Sequence, residues 1–218
     1  MPKQFELLVF DWDGTLMDSA AAIVASIQAA SRDIGADEPS DEAARHIIGL
    51  GLNEAIAALF PDMAVADYSR LAERYRVHFM AQDAAIPLFA GAEEAIREFH
   101  AEGFLLAVAT GKGRHGLDRV LDNTGLRPYF HATRCADESF SKPHPQMLLE
   151  LMERLGATPD KTLMIGDTSH DLQMAVNAKV PSLGAAYGAH PKEGLLGFAP
   201  LACADSFGEL HQWLRENA

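Results

Sequence analysis

The chain has 218 residues, 48% of them hydrophobic, which suffices for one domain with a real core or one domain carrying an insertion. Its 31 acidic and 18 basic residues leave a net charge of −13, which argues against general nucleic-acid binding and against docking on an anionic membrane. A phosphorylated ligand must then be attracted locally, by a metal ion and a few cations.

The start, Met1-Pro2-Lys3-Gln4-Phe5-Glu6, carries no signal-peptide core, and no apolar run is long enough to span a bilayer. A soluble cytoplasmic protein is expected, a monomer or homodimer. Residues 5–10 form a short apolar run that reads as a buried strand. The stretch FDWDGTLMD follows and puts Asp11 and Asp13 just past the strand end. Residues two apart in an extended segment point the same way, so these carboxylates repel and are either split in pKa or bridged by a cation. Either outcome suits a nucleophile beside an acid/base with Mg²⁺ between them; solvated turn aspartates before Gly14 are the plain alternative. Asp18-Ser19 reads as an N-cap for a helix over residues 20–34, which Gly35 ends. Ser40 opens another helix, Gly49 and Gly51 interrupt it, and residues 53–60 and 68–79 are helical, with Arg74 and Arg76 on the surface. Residues 19–82 thus contain helices only, too long a run for a simple crossover, and read as a small helical insertion.

From Pro87 the pattern alternates. Helices are expected over residues 91–102, 117–124, 145–155, 171–178 and 207–213, and strands over 104–109, 130–135, 162–165, 180–186 and 200–204. Such alternation implies an α/β fold with a doubly wound parallel sheet. Cys135 and Cys203 make no metal spacing and no disulfide framework, consistent with a reducing compartment.

Four sites fall at strand carboxyl ends: Asp11 with Asp13; Thr110-Gly111, a hydroxyl and a flexible backbone suited to phosphate oxygens; Lys142, stiffened by Pro143; and Gly166-Asp167 with Asp171, further carboxylates for a hard cation. Singly, each has an ordinary explanation: a plain turn, a solvated loop lysine, a Thr168 N-cap, and a first-turn acid at Asp171. Their recurrence at four strand ends favours a shared site. His115, His144 and His170 lie beside these motifs without metal spacing and read as loop or surface residues.

This set resembles the haloacid dehalogenase superfamily over the whole chain, most closely its phosphoglycolate phosphatase-like members. FDWDGT, VATGK, the SKPHP lysine and GDTSHD are similar to its four motifs. The resemblance implies a core at residues 1–17 and 86–218, with an α-helical cap at 18–85. It also implies that Asp11 attacks phosphorus, that Asp13 serves as acid and then base, and that Thr110, Gly111 and Lys142 hold the phosphoryl oxygens. Mg²⁺ would be bound by Asp11, Asp13, Asp167 and Asp171. Arg45, His46, Gly49 and Asn53 flank the glycine break where such caps place a specificity loop, although a solvated surface explains them equally. Two departures stand out: Lys179 occupies a position usually glycine, and Trp12 replaces an aliphatic residue and is expected to pack.

The implied activity is Mg²⁺-dependent hydrolysis of a small phosphorylated metabolite, with 2-phosphoglycolate the named candidate. A β-phosphoglucomutase-like phosphomutase is the alternative, and a receiver-like phospho-acceptor a more distant one. Dehalogenation and phosphonate cleavage are disfavoured, since neither uses Asp13.

Overall fold

The computed structural model describes residues 4–83 and 85–218; the first three residues of the expected leaderless start lie outside them. Strand β1 (Leu7–Phe10) lies inside a six-stranded sheet with β2 (Leu105–Thr110), β3 (Ala132–Cys135), β4 (Thr162–Gly166), β5 (Ser182–Ala185) and β6 (Cys203–Ala204). The order is β3-β2-β1-β4-β5-β6, and every pair is parallel. The chain steps outward from β1 to β3, then returns to lay β4 on the other side of β1. Between β1 and β4 the winding reverses, which is where open α/β sheets leave a crevice for ligands.

Between β1 and β2 lie α1 (Ala20–Ile34), α2 (Asp41–His46), α3 (Leu52–Leu59) and α4 (Tyr68–Asp83). They share a hydrophobic cluster apart from those of the sheet, built on Ile23, Ile27, Ile56, Leu71 and Phe79. Ala20 and Ala30 of α1 are buried in the same cluster, beside Leu71, Ala72 and Phe79 of α4. The segments entering and leaving this helical layer run side by side, with Met17 bridged antiparallel to Leu88 and Asp18 N–H donating to the Pro87 carbonyl at 3.0 Å. Ser40 caps α2 by accepting from Ala43 N–H at 3.1 Å. Ser19 holds the N-cap position of α1, as expected, but makes no capping hydrogen bond through its side chain. Its hydroxyl instead donates to Asp13 Oδ1 at 2.8 Å.

The sheet is flanked by α5 (Ala92–Ala101), α6 (Arg114–Thr124), α7 (Gln146–Leu155), α8 (Ser169–Ala178), α9 (Lys192–Leu196) and α10 (Phe207–Asn217). Strand alternation sorts side chains between two cores. Leu8, Phe10, Leu106 and Val108 face Phe99 of α5, Leu117 of α6 and Leu210 of α10. Leu7, Val9, Ala107 and Ala109 face Leu148 of α7 and Met174 of α8. Each such fully buried Leu or Phe contributes about 1.5–3 kcal/mol relative to exposure. Trp12 is buried and meets Phe130 edge-on at 6.2 Å, so it packs. Helix α6 begins three residues ahead of the expected 117, and the short α9 lies in a stretch with no expected helix. Lys179 ends α8 in the left-handed region at φ 59°. Among the described residues no helix is long and apolar enough to cross a membrane.

Candidate active site

Asp11 is the first residue beyond β1, and its N–H donates to the Ile165 carbonyl of β4 at 2.9 Å, extending the parallel ladder by one step. This holds its carboxylate, 1% exposed, over the crevice. Oδ1 of Asp11 lies 2.8 Å from Lys142 Nζ, and the same ammonium lies 2.6 Å from Asp171 Oδ1. Lys142, expected as a loop lysine aimed at phosphate oxygens, is buried between two carboxylates.

Asp167 follows β4. Its Oδ1 accepts from Thr15 Oγ1 at 2.8 Å and its Oδ2 from Ala189 N–H at 2.8 Å. Gly14 lies so close that a Cβ there would meet Asp167 Oδ2 at 2.1 Å, and its φ of +83° also favours glycine. Asp171 Oδ2 accepts from Thr168 N–H at 3.1 Å and from Thr168 Oγ1 at 2.7 Å, while Thr168 Oγ1 accepts from Asp171 N–H. Thr168 is therefore a true N-cap and Asp171 a true first-turn acid, and the same capping box aims the other Asp171 oxygen at Lys142.

Asp11, Asp167 and Asp171 present oxygens that lie within 4.8 Å of one another, all buried. Burial pushes the Asp11 carboxyl well above its usual range; Lys142 opposes this, and Asp171 and Asp167 add to it. Burial and then Asp171 push Asp167 up to about 7, against the hydrogen bonds from Ala189 and Thr15. Burial draws the Lys142 ammonium down, but Asp11 and Asp171 outweigh it and hold Lys142 charged. Three buried carboxylates thus face one buried ammonium, and Asp11 Oδ2 has no hydrogen-bond partner. A cluster of hard oxygen donors with excess negative charge and an unpartnered oxygen fits a divalent cation such as Mg²⁺.

The Asp13 side chain stands outside that group of three. Its Oδ1 accepts from Ser19, and its Oδ2 lies 3.1 Å from Lys112 Nζ, which also sits 4.7 Å from the centroid of the Phe79 ring. The two aspartates two residues apart therefore have different surroundings: Asp11 faces the carboxylate cluster, Asp13 the helical layer. Thr110, buried at the end of β2, accepts from Lys112 N–H at 3.1 Å. Gly111 has no room for a side chain, since a Cβ would come within 2.5 Å of the Gly49 and Leu50 carbonyls. The Gly51 N–H donates to Ser141 Oγ at 2.8 Å, beside Lys142. Residues 47–51 thus rest directly on the phosphate-suited loop.

A cavity of about 450 Å³ opens here, lined by Asp11, Asp13, Thr110 and Gly111 from the sheet side and by Gly49 and Asn53 from the helical layer. Arg45 and His46 line a separate cleft with Ala189 and His190. There the His46 carbonyl lies 2.8 Å from His170 Nε2 and 3.2 Å from His190 Nε2, and the His46 and His190 rings stack at 5.1 Å. His170 thereby ties the GDTSHD motif to the helical layer. His144 is exposed, and His115 is exposed at the cavity wall. Sequence reasoning passed over Ser19, Lys112 and Thr15 as contacts of the aspartates. Ser19 and Lys112 sit within or beside the quoted motifs, but nothing local indicates which carboxylate they reach.

A protein-family model described as haloacid dehalogenase-like hydrolase matches residues 8–185. The chain is 34% identical over 210 residues to a protein named probable phosphatase IndB of Dickeya dadantii (strain 3937), covering 94% of this chain and 91% of that one. It is 31% identical over 188 residues to a phosphoglycolate phosphatase of Agrobacterium fabrum, covering 84% and 81%. In three dimensions it is similar to a hydrolase from Pseudomonas syringae, with TM-score 0.89, 24% identity and 99% of both chains covered.

Proposed function

The chain belongs to the haloacid dehalogenase-like hydrolase family, and on that premise we propose that it is a Mg²⁺-dependent phosphatase acting on a small phosphate monoester through an aspartyl-phosphate. The observation that carries this reading is the buried Asp11 carboxylate, paired with Lys142 and set among Asp167 and Asp171. The name of the Agrobacterium relative makes 2-phosphoglycolate the first candidate substrate.

An Asp11 oxygen attacks phosphorus, and the bond from phosphorus to the ester oxygen breaks. The leaving alkoxide takes the proton of the Asp13 carboxyl, so a free alcohol departs. Asp13, now a carboxylate, takes a proton from a water molecule whose oxygen attacks the phosphorus of the acyl phosphate. The acyl phosphate P–O bond breaks, inorganic phosphate leaves and the Asp11 carboxylate is restored. Thr110, the Gly111 N–H and Lys142 hold the phosphoryl oxygens and offset the charge that spreads onto them. Asp11, Asp167 and Asp171, with the main-chain carbonyl of Asp13, would hold Mg²⁺, which would neutralise charge that otherwise keeps a phosphate dianion away from a carboxylate. Asp13 is suited to its role because Ser19 and Lys112 fix both of its oxygens on the leaving-group side.

Residues 18–85 are read as a cap over a core of residues 1–17 and 86–218. The separate hydrophobic cluster and the paired connecting segments support that division. The cap excludes bulk water and contacts the leaving group. The test is phosphate release from a panel of 2-phosphoglycolate, hexose phosphates, nucleotides and pyrophosphate, with Mg²⁺ and with the metal chelated. Metal-dependent release is expected, and Asp11→Asn is expected to abolish it with the fold intact. Release that persists in Asp11→Asn refutes the mechanism, and phosphate transfer between sugar carbons without release supports the mutase alternative.

A further inference from the structure

Helix α4 carries two arginines two residues apart, which at 3.6 residues per turn puts them on different faces. Arg74 turns away from the sheet and pairs with Asp33 of α1. Arg76 is exposed, as expected, and lies on the wall of the cavity that contains Asp11 and Asp13. The other lysine and arginine lining that cavity are committed: Lys112 lies on Asp13 at 3.1 Å, and Arg119 on the buried Asp83 at 2.9 Å. Among the described residues the Arg76 guanidinium has no ion-pair or hydrogen-bond partner. It is the uncommitted arginine of an active-site wall in a protein whose net charge is −13.

Tyr75, Arg76, Phe79 and Met80 of α4 all line the cavity, so one edge of that helix runs along it. The rest of the wall from the helical layer includes Ile23, Ile27, Ile48 and Phe79, which suit a carbon skeleton, and one carboxylate, Glu54 of α3. A molecule whose phosphoryl group sits on Asp11 would extend its alcohol half along this wall.

We propose that Arg76 is a specificity-determining residue that binds a second anionic group, a carboxylate or a second phosphate, carried by the alcohol half of the substrate. This rests on the phosphatase reading and assigns the leaving-group end of that site. A guanidinium presents a planar fork of donors that matches either anion bidentately, and a neutral alcohol leaves those donors to water. The test measures kcat/KM of the full chain with 2-phosphoglycolate, 1,3-propanediol bisphosphate and ethyl phosphate, in the wild type, Arg76→Gln and Arg76→Lys. The wild type is expected to favour one anionic ester over ethyl phosphate by about tenfold or more, and Arg76→Gln to bring that ratio close to one. Arg76→Lys, which keeps the charge without the fork, is expected to fall between them. The ester that loses its advantage identifies the group as carboxylate or phosphate. A wild type without preference, or an unchanged ratio in Arg76→Gln, overturns the proposal. If none of these esters nor p-nitrophenyl phosphate releases phosphate, the phosphatase reading fails by itself. Calorimetric binding of the two anionic esters and ethyl phosphate to wild type and Arg76→Gln then decides the role of Arg76. Loss of anion preference on substitution supports it, and unchanged affinities overturn it.

Discussion

Replacing Asp167 by Asn is expected to stabilise the metal-free protein while abolishing its response to Mg²⁺. The Asp167 carboxyl is buried and pushed from 3.8 up to about 7, by burial first and by Asp171 next. As pH rises past 3.8 the unfolded chain releases this proton while the folded chain retains it until about 7, so the contribution of this group to stability falls across that window and is gone above it. At 1.36 kcal/mol per pKa unit, the loss at pH 8 is about 4 kcal/mol, an order-of-magnitude figure. Asn carries no charge and avoids it. Its carbonyl can still accept from Ala189 N–H, and its amide can donate to the Thr15 hydroxyl, which turns to accept, so neither partner is stranded. For a chain of this size, 4 kcal/mol corresponds to a rise in Tm of about 10 °C. The assay is thermal unfolding of wild type and variant at pH 5 and pH 8, with chelator and with Mg²⁺. With chelator, the variant should melt higher, and the gap should widen from pH 5 to pH 8. Added Mg²⁺ should raise the wild type, by about 2.7 kcal/mol at a hundredfold excess over Kd, and leave the variant nearly unmoved. A metal-free variant that melts no higher than the wild type at pH 8, or a gap that does not widen with pH, refutes the electrostatic account of the cluster.

Two further substitutions probe the frame around the site. Lys179→Gly relieves a side chain held at φ 59° at an exposed helix end and is expected to stabilise by about 1 kcal/mol with activity unchanged, read by chemical denaturation. Gly111→Ala places a methyl group within 2.5 Å of the Gly49 and Leu50 carbonyls, so residues 47–51 must lift. Activity should fall by about tenfold or more, as a misplacement of about 1 Å near reacting groups costs, with faster hydrogen exchange over residues 47–51; full activity with unchanged exchange would contradict close seating of that loop.

The sequence by itself determined what depends on neighbours along the chain. Alternating apolar runs marked the strands, helical spacing of Ile23, Ile27 and Ile34 marked α1, and the strand-ending positions of Asp11, Thr110 and Asp167 located the candidate chemistry. These are local signals, because strand period, helix period and turn chemistry act over a few residues. The tertiary structure alone decided which partners meet. Lys142 reads as an ordinary loop lysine until β3 and α7 bring it between Asp171, 29 residues ahead of it in sequence, and Asp11, 131 residues behind. Ser19 fits an N-cap by local rules, yet its hydroxyl goes to Asp13, because the turn after β1 folds that carboxylate back over the helix start. Arg74 and Arg76 have similar sequence surroundings, and only the packing of α4 against α1 sends one to Asp33 and the other to the cavity. Helical periodicity records which residues share a face; which face lies over a ligand depends on how helices distant in sequence are docked by long-range burial, and no local pattern encodes that.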